Sequence, residues 1–123
     1  MSYEQANYLP EEARSAAFDC VSAVEGPGVT RLTLTGELDL ATISQVRAAL
    51  TSAAQEAKLV VVDLSELTFI DCAAVKTIVT ADARLRAADR RLALLRAQPQ
   101  VQRIFELAGL ADRLSVTNDC SSA

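Results

Sequence analysis

The stretch LVVVDLSELTFIDCAAVKTI, residues 59–78, decides how this chain folds. It opens on Leu59-Val60-Val61-Val62, then Asp63 and Leu64. A run so nearly apolar reads as a strand covered on both faces. A short loop is expected next. Asp71 then opens a segment with helical spacing, in which Val75, Ile78, Val79 and Leu85 share one face. Asp is a favourable N-cap because its carboxylate accepts hydrogen bonds from the first free amides of a helix. Cys72 therefore falls where the helix dipole favours negative charge. The helix start is the first place to look for function.

Upstream, Phe18 to Val24 reads as a strand and Gly26-Pro27-Gly28 as a turn. Val29 to Thr35 alternates, with Leu32 and Leu34 on one face and Arg31, Thr33 and Thr35 on the other, completing a β-hairpin. Gly36 to Asp39 reads as a loop. Thr42 and Gln45 have the spacing of a capping box, and Ile43, Val46, Leu50, Ala53 and Ala54 carry a helix to about Ala57. Downstream, Asp82 and Arg86 can pair one turn apart. Arg91 to Leu95 reads as a strand. Pro99 suits the first turn of a last helix and Gly109 the position past its end. Val101, Ile104, Phe105 and Ala108 form that helix's apolar face, and residues 114–117 read as a short final strand. Residues 1–15 read as a loose arm, 16–117 as one domain and 118–123 as a disordered tail. A hairpin followed by alternating helices and strands implies an α/β fold: one mixed, mainly parallel sheet with right-handed crossovers.

Composition narrows the function. A chain of 123 residues has room for one core, and half of its residues are hydrophobic. With two Tyr, three Phe and no Trp, that core is built mainly of Leu, Val, Ile and Ala. A net charge of −4 argues against general nucleic-acid binding, which needs a basic face. No run approaches the roughly 18 apolar residues of a membrane span, and the polar N-terminus is unlike a secretory signal. A cytoplasmic location is the expectation. Cys20, Cys72 and Cys120 are too scattered for a disulfide framework or a metal site, and the chain has no His. The last point also weighs against catalysis by Cys72, since a nucleophilic thiol needs a base nearby. No phosphate-binding loop or other cofactor motif is present. A thiol oxidoreductase would need the Cys-x-x-Cys pair that the chain lacks.

Three segments in order, GELDLAT at 36–42, VVDLSELTFIDCAAVKTI at 61–78 and PQVQRIFELAGL at 99–110, resemble the STAS domain of bacterial anti-sigma factor antagonists. The resemblance extends over about Phe18 to Val116 and implies a STAS-like fold. It also implies a role in transcription by partner switching. In that family a GHKL-type, kinase-like anti-sigma factor phosphorylates the first serine of an Asp-Ser-Ser-Gly motif. Here the motif reads Asp71-Cys72-Ala73-Ala74, so the acceptor hydroxyl is missing and Cys72 holds the switch position. Lys76 stands where the family commonly has a small residue. The resemblance implies that Asp39 and Asp71 lie near each other around Cys72, and that a partner meets Asp39, Asp71, Cys72, Ala73, Ala74 and Lys76. The plainer alternatives are that Asp71 only caps the helix and Asp39 only turns a loop. Cys72 either approximates serine in size, leaving the protein permanently competent to bind, or is redox-active through a sulfenic acid or a disulfide with Cys20 or Cys120. Thr68 and Thr77 are neighbouring hydroxyls away from the acceptor position. The second functional reading is an accessory STAS subunit of a lipid ABC transporter or of a stress-signalling assembly. A homodimer stays open.

Overall fold

The computed structural model describes residues 18–109 and 116–117. The arm at 1–15, the tail at 118–123 with Cys120, and the first part of the expected last strand lie outside them. Strand β1 (Phe18–Gly26) turns through Pro27 and Gly28 into β2 (Val29–Leu38), and the two pair antiparallel with Phe18 opposite Gly36. Proline presets φ at the first turn position, and Gly28 supplies the positive φ of 73° needed at the second. The chain continues as α1 (Ile43–Glu56), β3 (Leu59–Ile70), α2 (Cys72–Ala87), β4 (Arg91–Leu95), α3 (Pro99–Leu107) and β5 (Val116–Thr117). Strand order follows chain order, β1-β2-β3-β4-β5, and every pair after the first is parallel. Parallel neighbours need a crossover, which the helices provide. This is the α/β architecture that the alternation of patterns implies.

Helices α1 and α2 both return against the strand direction and pack on one another. Between helices and sheet lies the core. Leu32, Leu34 and Leu38 of β2 and Val60, Val62 and Leu64 of β3 meet Val46 and Leu50 of α1, Val75 and Ile78 of α2, and Val101 and Phe105 of α3. Val79, Ile104 and Ala108 pack against its margin. Aliphatic residues do nearly all the filling, as the shortage of aromatics requires.

Two expectations about the sheet change. First, β3 does not stop at Leu64: it runs twelve residues to Ile70, because Thr35 pairs with Glu66, Gly36 with Leu67, Glu37 with Phe69 and Leu38 with Ile70. The residues read as two loops, 36–38 and 65–70, are the paired ends of β2 and β3. Register shifts interrupt the pairing after Asp63 and after Leu67, and Gly36 beside the second has φ 94°. Each shift inserts an extra residue in β3, and a bulge breaks the two-residue alternation by which a strand is recognised. Second, β3 is not covered on both faces. Val60 and Val62 are buried, whereas Leu59 and Val61 are only half-buried.

That second face carries a polar tie. Arg31 Nη2 lies 2.6 Å from Asp63 Oδ2, and Asp63 Oδ1 accepts from the Ser65 N–H at 2.9 Å. Burial pushes the Asp63 carboxyl upward, but hydrogen bonds from Arg31 and Ser65, with Arg31's charge, outweigh it and hold the group below the usual carboxylate range. The same pairing raises Arg31. On α2, the expected Asp82–Arg86 pair forms at 3.1 Å.

Candidate docking site

The site forms where β3 ends and α2 begins. Asp71 is the N-cap of α2, in extended backbone, and its Oδ1 accepts from the Ala74 N–H at 2.9 Å. Its second oxygen, Oδ2, accepts from the Leu40 N–H at 3.1 Å, and the Asp71 N–H donates to the Leu38 carbonyl at 3.2 Å. One side chain thus caps a helix and fastens the β2–α1 loop to it. The plain helix-cap role is real, and the tie to the loop comes in addition.

Asp39 shapes that loop. Its Oδ1 accepts from the Ala41 N–H at 3.0 Å and the Thr42 N–H at 3.2 Å, an Asx-type turn. Thr42 Oγ1 accepts from the Asp39 N–H at 3.0 Å. The expected capping box does not form, since Thr42 makes no side-chain hydrogen bond to the free amides of α1. The physical reason is competition: the Asp39 amide, three residues upstream, already engages the hydroxyl that would have capped the helix.

Asp39 and Asp71 therefore stand on abutting loops, linked through Leu40. Cys72 and Ala73 are exposed beside them, and Lys76 is exposed one turn further along α2. Ala74 departs from the set. It is 0% exposed and belongs to the core, so no partner can reach it in this fold. Sequence reasoning missed two neighbours. Leu40 is 73% exposed directly after Asp39, and Phe69 is 46% exposed two residues before Asp71. Leu40 was detectable as an apolar side chain in a polar loop with no periodic companion. Phe69 was hidden by the second bulge.

Chemically, the surface combines two carboxylates committed to backbone amides, an exposed thiol, a nearby ammonium and stranded apolar groups. The nearby hydroxyls are engaged: Thr68 Oγ1 lies 3.1 Å from the Gly36 carbonyl and Thr77 Oγ1 3.1 Å from the Ala73 carbonyl. Cys20 and Cys72 are both free. Cys20 is half-buried on β1, where burial first and then the charge of Asp19 push its thiol upward. Among the described residues no group of three His, Cys, Asp or Glu side chains could hold a metal. None of the described helices is long and apolar enough to cross a membrane.

Solved structures share this arrangement of strands and helices. An anti-sigma factor antagonist from Mycobacterium paratuberculosis superposes with a TM-score of 0.77 at 18% identity, over 87% of this chain and 91% of that one. The anti-sigma factor antagonist SpoIIAA, in its unphosphorylated form, gives 0.72 at 22% identity over 85% and 92%. SLC26A9 gives 0.70 at 12% identity, over 86% of this chain but only 23% of its own. No curated protein matches the chain in sequence. The STAS domain model matches residues 21–123, nearly the whole chain. With fold and sequence model in agreement, this chain belongs to the STAS domain family.

Proposed function

We propose that this chain is an anti-sigma factor antagonist: a non-enzymatic, cytoplasmic binding module that occupies a GHKL-type, kinase-like anti-sigma factor and so frees a sigma factor for transcription. The observation that carries the proposal is the Asp71 clamp. By holding the Leu40 amide and the start of α2 together, it supports a reading in which the Asp39–Leu40 loop and the exposed Cys72, Ala73 and Lys76 of α2 meet one partner. The likeness to SpoIIAA supports the same reading.

A phosphate at position 72 would add about two negative charges beside Asp39 and Asp71, enough to repel a docked partner. Cys72 offers no hydroxyl for that step, so the docking surface stays in its binding-competent state. Redox control of Cys72 through a disulfide with Cys20 is the weaker version. Cys72 is accessible, but the half-buried Cys20, with its thiol pushed upward, is a poor source of the thiolate that disulfide exchange requires. The accessory-subunit reading draws on one observation: in SLC26A9 the matching region is a minor share of a longer chain.

A photocrosslinker on Cys72, activated in cells, tests the proposal. The expected capture is a kinase-like anti-sigma factor, lost when Asp39→Lys is introduced with folding intact. Recovery of an ABC ATPase instead, or capture indifferent to Asp39→Lys, refutes it. With the captured partner and ATP, Cys72→Ser is expected to gain a phosphate that the unaltered protein does not accept.

A further inference from the structure

Between α1 and α2 the surface opens into a groove of about 320 Å³. Its apolar floor includes Leu50 and Leu85, both rooted in the core, and the half-buried Ala54 and Ala81. Four cations line it: Arg47, Lys76, Arg84 and Arg90. No Asp or Glu does, although acidic residues outnumber basic ones 16 to 12 in the chain. Arg90 donates to the Ala57 carbonyl. The side chains of Arg47, Lys76 and Arg84 make no hydrogen bond or ion pair among the described residues. Like charges gathered without counter-charges on an otherwise acidic protein create a local positive potential that favours an anion.

The rest of the lining says what kind of anion. Thr51, Thr77 and Thr80 are the other polar residues, and no aromatic ring is present on which a base could stack. A nucleotide would find charge but no platform. An alkyl chain would find an aliphatic floor with cations at its edges, in a volume near the lower end of small-molecule sites, about 300–1,000 Å³. We infer that this groove binds a free fatty carboxylate, its head group paired with Arg47, Lys76 or Arg84 and its chain laid along Leu50, Ala54, Ala81 and Leu85. Nothing in this assignment depends on the docking role proposed above. Lys76, however, borders both surfaces, so a bound head group would lie next to the docking face.

Titration of the isotope-labelled full chain with decanoate, followed by amide chemical shifts, tests the inference. Saturable shifts confined to α1, α2 and the turn at 88–90 that follows it are expected. The double variant Arg47→Gln/Arg84→Gln removes two exposed cations without touching the core. It should weaken binding at least roughly tenfold, the scale of one lost charge-assisted hydrogen bond. Ala81→Phe, filling the floor, should abolish binding while circular dichroism stays unchanged. Decanol binding as tightly as decanoate, ATP or inorganic phosphate binding more tightly, or an unaffected Arg47→Gln/Arg84→Gln variant would each overturn it.

Discussion

Asp71 shows how much one side chain decides. Its two oxygens serve two different segments, so loss of the carboxylate removes a cap and a loop tie together. Asp71→Ala is expected to lower unfolding free energy by about 1–2 kcal/mol in urea titrations, a lost N-cap plus one further hydrogen bond. Asp71→Asn can keep the cap through its oxygen but cannot use its amide nitrogen to accept from Leu40, so its loss should be smaller. Equal losses in the two variants would mean that the cap contributes nothing, and an Asp71→Asn variant as stable as wild type would mean that the Leu40 contact contributes nothing. At Cys72 the prediction concerns access. Maleimide should label this exposed thiol promptly in the native protein, whereas Cys20 should react fully only after denaturation. The cap at Asp71 was legible in sequence because a cap is local chemistry. The Asp39–Thr42 turn was not, because two local motifs compete for one hydroxyl and spacing alone does not choose between them.

At the scale of elements, β3 is the spine, and both its length and its tie to β2 depend on partners remote in sequence. Arg31→Ala would leave the buried Asp63 without its guanidinium. A loss of about 2–3 kcal/mol is expected, below that for a fully buried pair because Arg31 keeps some contact with solvent. The pH dependence follows from the direction of the Asp63 shift. Its folded value lies below its unfolded one, so the stabilisation is fully present above the unfolded value, about 3.9, and drains as pH falls through the folded value. Urea midpoints measured near neutrality and at about pH 3 should therefore converge for wild type and Arg31→Ala as the medium is acidified. A constant gap would remove Asp63 from the account of acid sensitivity. On α3, Phe105 is the largest fully buried side chain among the described residues, and Phe105→Ala should cost about 3–5 kcal/mol by the same titration. The helical face holding Phe105 could be read from its spacing. The outer half of β3 could not, because two bulges erase the alternation that marks a strand.

Taken whole, the molecule sets the proposed docking surface at one end of α2 and a cationic groove along it, with Lys76 between them. Leu40→Ser separates folding from function here. The side chain is 73% exposed, so stability should change by no more than about 0.5 kcal/mol while capture of the proposed partner falls. An unchanged yield would exclude Leu40 from the interface. The sequence by itself determined the order of elements, the mixed sheet and the capped start of α2, because these follow from periodicity, turn residues and side chains acting within a few positions of their own backbone. Tertiary structure alone decided that β2 and β3 extend through two supposed loops, that Ala74 is withdrawn into the core, and that Leu40 stands beside Asp71. It also brought together four cations from separate stretches of chain around one aliphatic floor. Such facts depend on which distant segments come to lie side by side, and in a sheet that choice is made by strand pairing and burial across the whole core.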